Sequence, residues 1–322
     1  MILRKPDFYD KFKCIAERCS DTCCVGWEID IDKASQDAYR KVAGTFGDKL
    51  RENIEDGHFK LLPHDRCPFL TKDNLCEIYT HLGEGALCEI CTEHPRFVEV
   101  YGDIMERGLG LCCEEAARLL LTGEGPLQFT TCECDEIEDE LSEDDIDIRN
   151  QVFYEREQIF SALADSTKPL ADRFYVAFGY TPENPFAPLK NADAYLELLS
   201  KTESFGPAWD DALARIRNRI EASPSEQAAE IENEGYFSEN EGARLLAYLI
   251  YRHYAKCLFE GYEQGKRLFP LFFWNTVRFF ARELAGECSP EQIKINAVKI
   301  LSRQLEYCEE NMTLIESTLD ML

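Results

Sequence analysis

Cysteine is the residue of this chain whose type and spacing could do chemistry. Of fifteen, twelve lie in the first 134 residues. The stretch "FKCIAERCSDTCCVGW" places Cys14, Cys19, Cys23 and Cys24 within eleven positions, and Cys67 and Cys76, Cys88 and Cys91, and Cys112 and Cys113 follow as pairs. A thiolate is both a soft ligand and an anion, so gathering several costs repulsion that a zinc ion or an iron–sulfur cluster offsets. In a long chain that opens without a secretory leader pattern, such density points to metal or redox chemistry rather than to a disulfide framework. Only Cys88 and Cys91 show the two-residue gap of a zinc ribbon. Ferredoxin spacings are absent, as is the three-then-two spacing of radical enzymes that use S-adenosylmethionine, because Cys19, Cys23 and Cys24 give three and then zero. The pattern implies a site assembled from distant segments.

The elements that must position these thiols are short. From Cys67 to Cys91 the chain is punctuated by Gly, Pro, Asp and Asn, which reads as irregular segments around a centre, with helices at "DKASQDAYRKVAG" and at "CCEEAARLLLTG", the latter stopping on Gly123. The run Asp135–Asp147 carries nine acids and no base, and self-repulsion marks it as an exposed linker or a solvated helix start. Downstream, "FSENEGARLLAYLIYRHYAKCLFEGY" opens on a capping box, Ser238 with Glu241, and predicts a long buried helix. A second helix has Ser289 as cap, Pro290 first in the helix and Gln292 as the returning partner, and "LFPLFFWNTVRFFARELAG" between them is apolar nearly all round. No series of strands with βα turns is visible. The expected fold is mainly α: an irregular cysteine-rich metal-binding domain with short helices at 1–134, an acidic linker at 135–150, and an all-α bundle at 151–322.

The segments "FKCIAERCSDTCCVGWEIDID", "CPFLTKDNLCEIY", "CTEHPRF" and "CCEEAARLLL", in this order and at these separations, resemble the flagellin lysine N-methyltransferases, or lysine-N-methylases. The first two are also similar to a broader family of cysteine-rich zinc- or iron-chelating proteins. The likeness covers residues 8 to 121. It implies a ligand role for Cys14, Cys19, Cys23, Cys24, Cys67, Cys76, Cys91 and Cys113, an iron–sulfur centre of the 4Fe–4S kind with zinc as the alternative, and methyl transfer from S-adenosylmethionine to lysines of flagellin in the bacterial cytoplasm. Cys88 and Cys112 depart from the family pattern, so no ligand role passes to them. Eight thiols exceed the need of one four-iron cluster, and the sequence does not rank a second metal site, free structural thiols or hydrogen-bond donors for the surplus.

The remaining residues set limits. A formal net charge of −26 opposes the phosphate neutralisation that nucleic-acid binding needs, disfavours anionic membranes and suits a lysine-rich target. No segment is apolar and long enough to span a bilayer. Methylating a lysine amine requires the neutral base, which desolvation and aromatic walls favour, and Trp27, Tyr79, Tyr101, Tyr251, Tyr254 and Trp274 are candidates for such a cage, each set against an ordinary core role. Glycines in "FGDK", "GEGALC" and "GLGLCC" follow no β-branched strand, so S-adenosylmethionine would bind outside a doubly wound fold, beside the metal. His64 and His94 flank cysteines by three residues, His94 reads as packing, and His253 reads as a satisfied core residue. Arg96 is a candidate partner for a cluster sulfur, a cofactor carboxylate or a buried acid. The alternative to an enzyme is a non-catalytic iron–sulfur or zinc protein that carries or senses metal or binds a partner.

Overall fold

The computed structural model describes residues 1–20, 22–26, 28–63, 65–135, 141–180, 186–223, 235–284 and 288–322. In chain order its strands are β1 (Ile2–Pro6), β2 (Ile54–Glu55), β3 (His58–Phe59), β4 (Arg96–Tyr101), β5 (Ile104–Leu109) and β6 (Phe129–Glu133). Its α-helices of five residues or more are α1 (Lys33–Lys41), α2 (Gly44–Glu52), α3 (Glu77–Leu82), α4 (Glu89–Glu93), α5 (Glu114–Leu121), α6 (Glu143–Ala164), α7 (Leu170–Phe178), α8 (Ala192–Ser200), α9 (Pro207–Ala222), α10 (Glu239–His253), α11 (Glu263–Glu283), α12 (Pro290–Glu306) and α13 (Glu309–Asp320). The protein is mainly α, as its periodicity predicts. Two compact units divide the chain: a larger one of Met1–Phe12, Val98–Cys112 and Ala116–Leu322, and a smaller one of Lys13–Phe97 with Cys113–Glu115.

This division does not follow the change in composition near residue 135, which falls inside the larger unit. The reason is a sheet that the sequence does not announce, ordered β4-β5-β1-β6. Strand β1 runs parallel to β5, with Ile2 opposite Ile104, and antiparallel to β6, with Leu3 opposite Cys132. The first residues of the chain and residues 98–112 and 116–134 thereby belong with the helices. Part of the acidic run, residues 141–150, leads into α6, whose first turn carries Glu143, Asp144 and Asp145 at the positive end of the helix, with Ser142 as cap. Residues 136–140 of that run lie outside the described residues.

Helix α6 meets the sheet through a stripe of Arg149, Val152, Arg156, Ile159, Phe160 and Leu163. The stripe has helical period but contains two arginines, and each finds a specific partner. Arg149 donates to the Tyr101 carbonyl at 2.8 Å and pairs with Asp103. Arg156 is fully buried and grips Glu106 of β5 in a two-pronged ion pair at 2.8 and 2.5 Å, with its guanidinium over the Phe153 ring. Helix α10 ties to the same strand from another direction: the Leu109 amide donates to the Tyr248 hydroxyl at 2.5 Å, and that hydroxyl donates to the Leu109 carbonyl at 2.6 Å.

The capping box at Ser238 and Glu241 opens α10 as its sequence predicts, but the α-helix stops at His253 and the chain continues through a 3-10 turn, Tyr254–Lys256. Helix α11 is buried nearly all round, with Trp209 stacked on Phe280 at 5.0 Å and Phe186 on Phe279 at 5.8 Å. Gly265 lets α11 approach α13 closely, since a Cβ there would stand 2.0 Å from the Glu316 carbonyl oxygen. At the end of α10, His253 is buried against Glu306 of α12, with its Nε2–H donating at 2.8 Å, and is a satisfied core residue as expected. Burial pushes His253 down to about 4 against the pull of Glu306. Burial also opposes ionisation of Glu306, yet Arg252 and His253 hold its carboxyl down at about 2.

Two predictions follow from these buried charges. Arg156→Ala leaves Glu106 in the core with only the longer Arg4 contact at 3.9 Å and should cost about 3–5 kcal/mol in urea unfolding, whereas the double change Arg156→Leu with Glu106→Leu should recover most of that loss; a single-variant loss under about 1 kcal/mol contradicts the role assigned to the pair. His253 binds its proton more readily when unfolded, so the stability it supports is whole above pH about 6.5 and drains as pH falls toward about 4. Unfolding at pH 5 should show a deficit of about 2 kcal/mol relative to pH 7 that His253→Gln removes.

Candidate metal centre

The smaller unit is organised around apolar side chains contributed at short intervals. Asp32 caps α1 through the Ser35 amide at 2.8 Å and also accepts from the Glu89 amide at 2.9 Å, fixing the start of α4 to the start of α1. These amides, that of Glu89 foremost, hold the Asp32 carboxyl at about 2. Tyr39 on α1 donates to the Ala86 carbonyl at 2.7 Å. Phe69 is fully buried, with its ring 5.0 Å from Phe59 and 6.2 Å from Phe46. Around these lie Ile29, Ile31, Leu50, Leu70 and Ile78.

Cysteines are woven into that core. Cys67 and Cys88 are buried members of it, and Cys24, Cys76 and Cys91 pack against it. Backbone pairing puts them there: the Cys67 amide donates to the Cys24 carbonyl at 2.9 Å beside a bridge between Val25 and Arg66, and Leu70 bridges Cys76. Cys76 stands at the N-cap of α3 and Cys88 at the N-cap of α4, with Cys91 one turn further along. A second set lies outside the apolar core. Cys14 and Cys23 are exposed and Cys19 is half-buried. Cys113 joins them because the next residue, Glu114, accepts from the Ser20 amide at 2.8 Å, from the Cys19 thiol at 3.6 Å and from the Ser20 hydroxyl.

All eight sequence-predicted ligands, Cys14, Cys19, Cys23, Cys24, Cys67, Cys76, Cys91 and Cys113, thus fall in the smaller unit. The two family departures part company there: Cys88 lies with the inner thiols, whereas Cys112 belongs to the larger unit, hydrogen-bonded to Tyr307. The gap of two residues between Cys88 and Cys91, which puts both on one turn of helix, was the signal for Cys88. His94 is pushed down to about 4 by burial. Arg96 donates to the Thr92 carbonyl at 3.2 Å, and His81 stacks on Phe46 at 4.4 Å. His64 and Trp27 lie outside the described residues.

The thiols feel one another. The Cys23 thiol donates a hydrogen bond to Cys24, and the Cys91 thiol to Cys88, so that Cys24 and Cys88 are favoured as thiolates, Cys24 at about 7, while Cys23 and Cys91 are held protonated. Arg66 adds to the pull on Cys24. Burial pushes Cys67 up to about 12, with the nearby Cys24, Cys76 and Cys88 raising it further. A cation held by such a set would displace its protons. A single tetrahedral zinc ion, with Zn–S near 2.3 Å, would need its sulfurs about 3.8 Å apart. Among the described residues no three cysteine sulfurs lie within 4.8 Å of one another; the group of three ligand atoms that does is Glu203, Cys308 and Glu310, in the larger unit.

The candidate aromatic cage is not assembled by the described residues. Tyr101, Tyr251, Tyr254 and Trp274 are core residues of the larger unit: Tyr101 stacks on Phe259 at 5.6 Å, Tyr251 reaches the Arg4 and Arg107 carbonyls, Tyr254 donates to Glu155 at 2.8 Å, and Trp274 packs on Phe174 and Phe237. Tyr79 is exposed in the smaller unit. Gly83 closes α3 with a positive φ of 89°, in keeping with its reading as a helix end rather than a phosphate loop.

Comparison with known proteins adds names. The flagellar biosynthetic protein FliU of Salmonella muenchen is 35% identical over 127 residues, which make up 36% of this chain and 75% of that protein. Lysine-N-methylases of Salmonella typhimurium and Salmonella choleraesuis are 32% and 34% identical over 127 residues, again 36% of this chain but 32% of theirs. The chain thus matches three quarters of the first relative and about a third of the length of the other two. No protein-family model and no solved structure matches it. Among the described residues no helix is long and apolar enough to cross a membrane.

Because inner thiols and apolar core are one body, Phe69→Ala should cost about 3–5 kcal/mol locally. Hydrogen exchange should then show amides of the smaller unit, including those of α1 and α3, losing protection while those of α10 and α11 keep theirs; an equal loss in both units overturns the assignment.

Proposed function

The chain belongs to the family of the flagellar biosynthetic protein FliU and the lysine-N-methylases, and on that premise we propose that it methylates lysine side chains of flagellin with S-adenosylmethionine as the methyl donor, using a protein fold built around a cysteine-ligated iron–sulfur centre. The observation that carries the metal half of this reading is the set Cys24, Cys67, Cys76 and Cys91 gathered with Cys88 in one apolar core. These thiols suit a four-iron cluster in number and softness. Cys24, Cys67, Cys76 and Cys91 are the ligands assigned here, and Cys88 hydrogen-bonds Cys91 beside them. Such a centre, when bound, supplies a Lewis-acidic or redox-active iron and a rigid cross-link between loops. The cytoplasm, where flagellin lysines are accessible before export, is the compartment this reading requires.

Methyl transfer forms a carbon–nitrogen bond at the lysine Nζ as the methyl carbon–sulfur bond of the sulfonium breaks, leaving S-adenosylhomocysteine and releasing one proton from the product amine. The lysine must enter neutral and in line with that bond. The net charge of −26 draws a lysine-rich surface to the protein before the amine is desolvated. The same charge suits neither nucleic acid nor an anionic membrane.

The test uses full-length chain purified without oxygen. Iron and acid-labile sulfide should be present in matched amounts, with zinc below stoichiometry, and Cys67→Ser with Cys91→Ser should abolish both. Incubation with S-adenosylmethionine and unmodified flagellin should raise the flagellin mass by whole methyl groups, on lysines. Bound iron and sulfide with flagellin mass unchanged would instead favour the non-catalytic metal carrier or sensor, and zinc without sulfide would remove the cluster from the proposal.

A further inference from the structure

Arg267 and Glu155 line one cavity of the larger unit, and they do not pair with each other. The cavity, of about 360 Å³, lies where α6, α7 and α11 meet, and Ile159, Ala162 and Val176 give it apolar walls. That volume falls within the roughly 300–1,000 Å³ of sites that take small molecules. Arg267 is half-buried and fixed by its Nη2, which donates to the Ala177 carbonyl at 3.0 Å in the last turn of α7, where helix carbonyls lack intrahelical partners. Neither its Nε nor its Nη1 donates to any of the described residues, and none of their carboxylates forms an ion pair with it. In a chain with 61 acids to 35 bases, a guanidinium held in place yet left without a carboxylate points to an anion from outside. Glu155 is placed as firmly. Gln151 and Tyr254 donate to it at 2.7 and 2.8 Å and hold its carboxyl below the usual range, with a smaller pull from Arg267. It too forms no ion pair among the described residues. The other charged groups at the cavity, Asp165 and Lys168, satisfy each other at 2.9 Å. Opposite charges fixed on separate helices, lining one cavity without pairing, leave room between them for a ligand that carries both signs.

We propose that this cavity binds the amino-acid end of S-adenosylmethionine, with the ligand carboxylate on the open edge of the Arg267 guanidinium, its ammonium on the Glu155 carboxylate, and the rest of the molecule along Ile159, Ala162 and Val176. The proposal rests on the reading of the chain as a methyltransferase and gives the methyl donor a site in the larger unit rather than among the thiols. A guanidinium presents N–H donors in a plane that matches two carboxylate oxygens, so it holds that end of the ligand in one orientation. Glu155 then separates an α-amino acid from a simple carboxylic acid, because only the former brings a cation to it. Both groups are ordered before the ligand arrives, so little side-chain entropy is lost on binding.

The experiment measures binding by equilibrium dialysis on the full chain purified without oxygen. The probes are S-adenosylmethionine, S-adenosylhomocysteine and methylthioadenosine, the last of which lacks the amino-acid end. The first two should bind wild-type protein and the third far more weakly. Arg267→Gln should weaken S-adenosylhomocysteine by about 10- to 100-fold, the worth of a hydrogen bond to a charged group, and leave methylthioadenosine unchanged. Glu155→Gln should weaken it by about tenfold. Val176→Trp, at an exposed position of α7, fills the cavity without altering either charge and should weaken all three probes while thermal unfolding stays as in wild type. Equal affinity for S-adenosylhomocysteine in wild type, Arg267→Gln and Val176→Trp overturns the site and leaves the methylation reading standing. Binding lost in these variants, with flagellin mass unchanged after incubation with wild type, overturns the methylation reading and leaves the site in place. Failure of folded wild-type protein to bind S-adenosylmethionine or S-adenosylhomocysteine overturns the site without recourse to any variant.

Discussion

Nine thiols, those of Cys14, Cys19, Cys23, Cys24, Cys67, Cys76, Cys88, Cys91 and Cys113, share one small unit, and they cannot all be anions at once. Everything else about that unit answers this constraint. Apolar packing pushes Cys67 toward the protonated form, and the hydrogen-bonded pairs Cys23–Cys24 and Cys88–Cys91 share one proton between two sulfurs. Neither device removes the repulsion that full ionisation brings; a bound cation does. The core that encloses the inner thiols is built partly of them, so a cation bound there would stabilise the fold of the unit.

The larger unit solves a different problem. It must hold both ends of an inserted segment, since the chain leaves it after Phe12 and returns at Val98. Its answer is a sheet in which β1, before the insertion, lies beside β5, after it. The Arg156–Glu106 pair and the Tyr248 hydroxyl then fasten helices α6 and α10 onto β5. Charged groups do this in the interior because a two-pronged guanidinium–carboxylate contact admits a single orientation, whereas an apolar contact would tolerate sliding.

Much of this was legible in the residues. Asp32 as cap of α1, the Ser238–Glu241 box and Ser289 before Pro290 are local signals, and local signals survive folding intact. The gathering of the cysteine segments was legible from their family likeness, although the separation into an inner and an outer set was not, because burial of a thiol depends on partners brought from elsewhere. The sheet was hidden for a related reason. "ILRKP" carries two bases in five residues, and only pairing with Ile104–Glu106 and Phe129–Glu133, more than a hundred positions away, makes it a strand. Arg149 and Arg156 disguised the buried face of α6, since charged residues at core positions read as solvent-facing. Composition placed a boundary at the acidic run, but charge records what meets water, and contacts record what folds together.

The insertion has a consequence for how such a protein ages. Thiols are the part of a molecule most exposed to oxidative damage, and eight of the fifteen here are confined to a segment that leaves the larger unit after β1 and returns in β4, two strands of one sheet with β5 between them. With β1 and β4 held in one sheet, opening of such a segment would cost less chain entropy to reverse than opening of a free end.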